Sequence, residues 1–145
     1  MIGWVNPYVP EEILHAAGMF PFQVTGNNEP VQMQGAEAYI YSNTCSYIRT
    51  CWQLQLDGKY AFLDGLVSCS FCDQDKRLHS VWEYYKKLPY MDIIYFPRKA
   101  TEDALQMYLI DLERWRERLS EFRGQRIRDN ELKRSIALYN RTRDL

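Results

Sequence analysis

The chain has 145 residues, of which 46% are hydrophobic and 26% are charged, and its formal net charge is −1. This composition is typical of one globular domain, and so small a net charge argues against a surface that neutralises nucleic-acid phosphates. The apolar runs are far shorter than the roughly 20 residues of a membrane span. Because the N-terminus also lacks a basic and apolar leader, we expect a cytoplasmic protein that binds neither membrane nor nucleic acid.

The elements are predicted in chain order from two kinds of pattern. Short runs rich in β-branched and aromatic residues indicate strands, and apolar residues that recur every three or four positions between capping signals indicate helices. The predicted order is strand 1–5, helix 10–17, strand 20–24, loop 25–30, helix 45–56, strand 60–67, helix 73–87, strand 91–96, helix 101–124 and a last helix from 129. Residues 36–41 fit either a helix or a strand.

The clearest strand and the longest helix are adjacent in the chain. Residues 91–96 form a continuous apolar run up to Pro97, which is typical of a parallel strand covered on both faces. The helix that follows is capped by Thr101 and carries one apolar stripe, formed by Leu105, Leu109, Leu112, Trp115, Leu119 and Phe122. Strands that alternate with helices predict one domain over 1–145, an α/β three-layer fold of Rossmann-like or flavodoxin-like type with a parallel sheet of about four strands.

All four cysteines lie between positions 45 and 72. Cys45 and Cys72 fall where a loop becomes a helix, and backbone N–H groups at a helix start stabilise a thiolate that binds soft metals or an iron–sulfur cluster. Disulfides are uncommon in the cytoplasm, so the clustered thiols indicate metal, cluster or redox chemistry. Loops that follow parallel strands meet at one edge of the sheet, and we expect Cys45 and Cys72 to converge there.

The other two cysteines have different predicted roles. Cys51 lies on the apolar side of the same helix as Cys45 and is assigned to the core. Cys69 is expected in the loop after the third strand, where its Cys-x-x-Cys spacing with Cys72 also fits a zinc half-site or a redox dithiol. Three further residues are possible contacts to a substrate or to the ligand cysteines, namely Ser42, Arg49 and Asp73.

Six blocks in order carry a resemblance to a known family. They are Gly3-Trp-Val5, residues 9–21, Cys45-Ser-Tyr-Ile-Arg-Thr50, residues 62–67, Cys72-Asp73 with Lys76-Arg77-Leu78 and Trp82, and Ile136-Ala-Leu-Tyr-Asn140 with Arg143. These blocks closely resemble the 2-hydroxyacyl-CoA dehydratase and benzoyl-CoA reductase family over nearly the whole chain. The resemblance implies that Cys45 and Cys72 are ligands of a [4Fe-4S] cluster, whereas Cys51 and Cys69 match no ligand position of the family.

The resemblance also implies an activity and partners. Such an oxygen-sensitive subunit accepts a low-potential electron from an ATP-hydrolysing iron–sulfur activator and passes it to an acyl-CoA thioester, in 2-hydroxyacyl-CoA dehydration or benzoyl-CoA reduction. An electron carrier with a double cluster shares the same blocks. Family subunits are well over twice this length, so we expect this chain to correspond to their N-terminal half and a partner subunit or second domain to supply a further cluster ligand.

Two other functions are open at this point. One is a zinc-stabilised interaction domain that uses all four thiols. The other is a non-catalytic α/β scaffold that exposes an apolar face to a docking partner. The sequence contains no glycine-rich phosphate loop, so ATP hydrolysis is expected to occur in another protein.

Overall fold

The structure is a computed structural model that describes residues 1–27 and 32–145. Its strands are β1 (Ile2–Trp4), β2 (Pro21–Gln23), β3 (Gly65–Cys69) and β4 (Tyr90–Ile94). Its helices are α1 (Glu11–Ala16), α2 (Gln34–Glu37), α3 (Ser46–Leu56), α4 (Asp73–Lys86), α5 (Glu102–Arg123) and α6 (Asp129–Arg143). The four strands form one parallel sheet in the order β2-β1-β3-β4.

Helices cover the sheet on both faces. Leu14 of α1 and Trp115 of α5 belong to one buried cluster with Ile94 of the sheet, while Ile48 of α3 and Trp82 of α4 belong to a second cluster. Each cluster is the core between the sheet and one helical layer, which confirms the predicted α/β three-layer fold. The strand order matches the beginning of a flavodoxin-like sheet. No described helix combines the length and the apolarity that a membrane span requires.

The largest boundary error concerns the third strand. Residues 60–64 form no strand, and β3 runs from Gly65 to Cys69. The prediction that Cys69 lies in the following loop is therefore wrong. A side chain at Gly65 would place its Cβ atom 2.7 Å from the backbone oxygen of Tyr90 in β4, so only glycine permits this close approach of the two strands. Apolar composition identified a buried segment but not the residue at which strand pairing begins.

Two ambiguous segments precede α3. Residues 36–41, which fitted either a helix or a strand, contain the end of the short helix α2. The predicted loop 25–30 is described only as far as residue 27, and those residues have no regular secondary structure. Residues 28–30 of that loop lie outside the described residues.

The predicted apolar stripe of α5 is buried only near its middle. Trp115 and Leu119 are fully buried, and the guanidinium groups of Arg114 and Arg118 donate to the buried carboxylate of Asp92 in β4 at 3.1 and 2.9 Å. The helix is thus attached to the sheet through its central turns. Its first turns present four apolar side chains to the surface, namely Leu105, Met107, Leu109 and Ile110, which are 49 to 72% exposed.

Candidate functional site

The candidate site lies at the carboxyl edge of the sheet, beyond the neighbouring strands β1 and β3. In the sheet, β2 lies on one side of β1, whereas β3 and then β4 lie on its other side. In open parallel sheets, ligands bind at such a reversal of strand order, in the crevice beyond the strand ends. Val5 and Asn6 follow β1 at this point, and Cys72 lies three residues beyond the end of β3.

Both predicted ligand cysteines stand at the starts of helices. Cys45 immediately precedes α3 and is exposed, while Cys72 immediately precedes α4 and is partly exposed. The sequence therefore identified their structural positions correctly. Each thiol is therefore accessible without the unfolding of either helix.

The environment of Cys72 favours its protonated form. Burial raises the pKa of Cys72 above its ordinary value and the neighbouring Asp75 carboxylate raises it further, whereas the backbone N–H groups of Asp75 and Gln74 lower it. The expected effect of the helix start is present, but burial outweighs it. Binding a metal through this sulfur must release the thiol proton, so ligation is favoured as pH rises.

The first turns of α3 and α4 approach the same group of side chains. Burial raises the pKa of Cys51 to about 12, and both Cys45 and Asp75 contribute to that rise. Burial likewise raises the pKa of Tyr47, and Asp75 again contributes. Charges influence one another in this way only over short distances. The first turns of both helices therefore influence the same buried side chains, while the convergence of Cys45 and Cys72 at one site stays a prediction.

Tyr47 attaches the start of α3 to the sheet. It lies two residues after Cys45, and its hydroxyl is within hydrogen-bond distance of the backbone oxygens of Val5 at 3.1 Å and Val24 at 2.9 Å. These oxygens lie just beyond the ends of β1 and β2. A single phenolic proton shared between two strand ends holds the first turn of α3 over the edge of the sheet.

Asp75 attaches the start of α4 to the same region. Its Oδ2 atom accepts a hydrogen bond of 2.8 Å from Nδ2 of Asn6, and the residue is only 4% exposed. Asp75 lies three residues after Cys72. The predicted site residue Asp73, by contrast, is exposed and forms an ion pair of 2.7 Å with Lys76. The carboxylate that lies beside Cys72 is thus Asp75, which sequence analysis did not identify.

The other two predicted contact residues precede or follow Cys45. Ser42 is exposed on the loop before α3. Arg49 donates from Nε to the backbone oxygen of Thr44 at 3.0 Å and from Nη1 to Glu37 at 3.0 Å. The guanidinium therefore supports the loop that leads into Cys45, and these contacts occupy it within the chain.

Cys51 and Cys69 lie in different parts of the core. Cys51 is fully buried in the cluster beneath α3 and α4, which confirms its predicted core position. Cys69 is fully buried in the cluster on the opposite face, and burial raises its pKa to about 11. The proposed zinc site of all four thiols is therefore wrong. Among residues 1–27 and 32–145, no three His, Cys, Asp or Glu side chains are arranged to hold a metal ion.

The four thiols should differ widely in reactivity. At pH 8 we expect a small alkylating reagent to modify exposed Cys45 first and Cys72 next. Cys51 and Cys69 should react at least about 100-fold more slowly, because burial and a raised pKa both suppress their thiolate forms. Peptide mass spectrometry over a time course measures the four rates. Equal rates for Cys45 and Cys51 in the folded chain would contradict the description of the site.

A groove of about 630 Å³ borders the site on the side of β4. Its wall begins at Ser70, between β3 and Cys72, and continues along the apolar residues that follow β4 and the first turns of α5. Arg98 and Lys99 line it as exposed cations, and Arg98 is close enough to Asp73 to contribute, after Lys76, to lowering the pKa of that carboxyl. The groove has the size and the mainly apolar lining that are typical of a small-molecule site.

The comparison with protein families gives one match. The family described as 2-hydroxyglutaryl-CoA dehydratase, D-component, matches residues 6–145. The matched range includes both Cys45 and Cys72, all six helices described above and every strand except β1.

Individual relatives cover the same range. The chain is 31% identical over 146 residues to a benzoyl-CoA reductase subunit of Thauera aromatica, 27% identical over 143 residues to the (R)-phenyllactyl-CoA dehydratase beta subunit of Clostridium sporogenes, and 28% identical over 145 residues to the (R)-2-hydroxyglutaryl-CoA dehydratase beta subunit of Acidaminococcus fermentans. These alignments cover 98 to 100% of this chain but only 38% of each relative. The chain therefore spans less than two fifths of the length of the curated relatives that it matches.

Proposed function

Because the chain belongs to the 2-hydroxyglutaryl-CoA dehydratase D-component family, we propose that it is the cluster-binding part of an anaerobic acyl-CoA dehydratase or reductase subunit. In this role Cys45 and Cys72 are two ligands of a [4Fe-4S] cluster. The observation that carries the proposal is that two accessible thiols stand at the starts of helices whose first turns are bonded to the adjacent residues Val5 and Asn6, just beyond β1.

The donor set fits part of an iron–sulfur site. Thiolates are the usual ligands of such clusters, and N–H groups near a cluster sulfur tune its potential. Cys72 has this environment, because the amides of Asp75 and Gln74 act on its sulfur. When bound, the cluster supplies the low-potential electron that the thioester substrate requires, and an ATP-dependent activator is the donor of that electron. Cys72 would release its proton on ligation, and Cys45 is exposed to solvent.

The groove beside the site supports an acyl-CoA substrate. The three relatives described above differ in the acyl group that they are named for, but each of their names contains a CoA ester. An acyl-CoA has a long, partly apolar arm and several phosphate charges. The groove offers apolar walls with Arg98 and Lys99 at its surface, and such cations bind phosphate groups. In this proposal the thioester end points along the groove toward Ser70 and the Cys72 loop.

The remaining cluster ligands come from protein beyond these residues. A cubane cluster is normally held by four thiolates, and Cys45 and Cys72 supply two sulfurs. We propose that a partner subunit or a second domain of the same polypeptide brings at least one further ligand. The exposed side chains of Leu105 and Leu109, which do not line the groove, support such a contact, because neighbouring apolar side chains at the surface commonly mark a protein interface.

The metal content of the complete assembly tests this function. We expect anaerobically purified protein to contain iron and acid-labile sulfide in equal amounts, with a broad absorbance shoulder in the visible region that is lost on exposure to air. The reason is that the two accessible thiols form a soft and incomplete site suited to a shared cluster. Tightly bound zinc at one ion per chain, without sulfide, would contradict the proposal.

A further inference from the structure

We infer that Val5 and Asn6, the two residues that follow β1, form an anchor that sets the separation of the two ligand sulfurs. Tyr47 and Asp75 act as positioning residues because each connects one cysteine helix to this anchor. The inference rests on the proposed function, since it concerns how Cys45 and Cys72 are held for one metal site. We call the two hydrogen-bonded connections, from Tyr47 to Val5 and from Asp75 to Asn6, tethers. Neither tether has to touch the substrate.

The geometry of the tethers supports this role. The Tyr47 hydroxyl is bound at Val5 and the Asp75 carboxylate is bound at Asn6, and consecutive Cα atoms are about 3.8 Å apart. Both tethers begin within the first turn after the cysteine they serve. Both helix starts are therefore held by the same short piece of backbone at the end of the central strand β1.

The packing between α3 and α4 does not fix the cysteines to the same extent. Trp52 and Trp82 pack edge to face with ring centroids 5.9 Å apart, and both are fully buried. At a rise of about 1.5 Å per residue, these rings lie about 10 Å along the helix from Cys45 and about 15 Å from Cys72. A small change of helix angle about this contact would move the helix starts apart. The tethers at Tyr47 and Asp75 oppose that movement.

The local chemistry also shows why these side chains suit the role. Asp75 is a buried carboxylate, and the amide of Asn6 offsets part of the cost of burying it. Asn6 also accepts a hydrogen bond from the backbone N–H of Tyr8 through its Oδ1 atom at 3.0 Å, which orients its Nδ2 atom toward Asp75. The oxygen and the nitrogen of the Asn6 side-chain amide are thus both hydrogen-bonded, and together these bonds orient Asn6 toward Asp75.

Cadmium binding to the 145-residue chain tests the anchor without iron or turnover. Cd²⁺ is a soft ion that binds thiolates and gives an ultraviolet charge-transfer band. In the wild type we expect one Cd²⁺ to protect Cys45 and Cys72 from alkylation together, as read by peptide mass spectrometry. Tyr47→Phe should weaken this binding about 10-fold, within the range of about 10 to 100-fold usual for residues that orient metal ligands.

Tyr60→Phe is the matched control for the first tether. The Tyr60 hydroxyl also donates to a backbone oxygen just beyond β2, that of Thr25, but Tyr60 lies on no cysteine helix. Its removal should leave the Cd²⁺ affinity within about two-fold of the wild type. An equal loss in Tyr60→Phe and Tyr47→Phe would overturn the inference, because it would show a general effect of removing a core hydroxyl.

A reversal of donor and acceptor tests the second tether. Asn6→Asp retains the acceptor for Tyr8 but places two carboxylates in contact, and should weaken Cd²⁺ binding about 10-fold. Combining it with Asp75→Asn restores a donor and an acceptor at the same net charge and should recover most of the affinity. Circular dichroism confirms the fold of each variant.

Three further results would overturn the anchor. They are unchanged affinity in both Tyr47→Phe and Asn6→Asp, no recovery in the folded double variant, and failure of the wild type to protect both thiols together. If the chain gives the expected Cd²⁺ results but the complete assembly contains no iron, the anchor is supported and the proposed cluster function is refuted. The two conclusions can therefore fail separately.

Discussion

Replacing Cys72 with serine should reduce acyl-CoA turnover by the complete assembly to background. Serine retains the size of the side chain, but its hydroxyl does not ionise near neutral pH and is a poor ligand for a soft iron–sulfur site. Cys45→Ser should have the same effect, because the proposed function makes both thiols ligands of one cluster. Steady-state assays under anaerobic conditions, with an ATP-dependent activator and several acyl-CoA esters, measure the loss.

Cys51→Ala and Cys69→Ala are the matched cysteine controls. Both remove a fully buried thiol, and the two thiols lie on opposite faces of the sheet. They should lower stability through the small cavities that they create, yet the folded protein should keep its turnover. Turnover that survives Cys72→Ser, or that is lost equally in all four variants, would contradict the assignment of Cys45 and Cys72.

Trp82→Ala should produce the largest loss of stability among single side-chain truncations on α4. Trp82 is fully buried and packs against Trp52 and Tyr60, with ring centroids 5.9 and 6.0 Å away. Removal of a buried tryptophan costs about 3 to 5 kcal/mol, against a total stability of about 5 to 15 kcal/mol for a typical domain. Urea unfolding followed by far-ultraviolet circular dichroism measures the difference.

Tyr84→Ala provides the comparison on the same helix. Tyr84 follows Trp82 by two residues but is 72% exposed. Its truncation should change the free energy of unfolding by no more than about 0.5 kcal/mol. Similar losses of stability in the two variants would contradict the description of Trp82 as a core contact between α3 and α4.

Much of the fold was predictable because local signals agree with the tertiary structure. Acidic first turns and a glycine after the last turn mark α5, and strands separated by helices require parallel pairing. The start of β3 was not predictable in this way. Residues 60–64 are as apolar as a strand, but the close approach at Gly65 is set by Tyr90 on a neighbouring strand. Composition cannot show which of two adjacent apolar segments forms the strand that pairs with its neighbours in the sheet.

In the candidate site, too, the features with a local sequence signal were predictable and those that depend on tertiary contacts were not. The cysteines were recognisable because thiols at helix starts are a local pattern, and the resemblance to a family distinguished Cys45 and Cys72 from the other two. Sequence analysis did not identify Asn6, Tyr47 and Asp75, since each of them contacts a partner on a different element of the fold. The acidic position nearest the cysteine in sequence, Asp73, proved to face solvent.

The exposed α5 surface shows a further limit of sequence periodicity. A helical stripe indicates which side chains share a face but not what covers them. Here the central turns meet the sheet, whereas Leu105 and Leu109 do not. The same sequence pattern therefore includes both the core of this chain and a surface that we assign to contact with the rest of the enzyme.

The most direct test is the cluster content of the complete assembly when its cysteines are changed one at a time. Iron and sulfide analysis, combined with electron paramagnetic resonance of the reduced protein, should show the cluster signal in the wild type, Cys51→Ala and Cys69→Ala. We predict that Cys45→Ser and Cys72→Ser each lose that signal while remaining folded. A full complement of iron and sulfide with an unchanged resonance spectrum in folded Cys72→Ser would show that this cysteine is not a ligand and would contradict the proposed function.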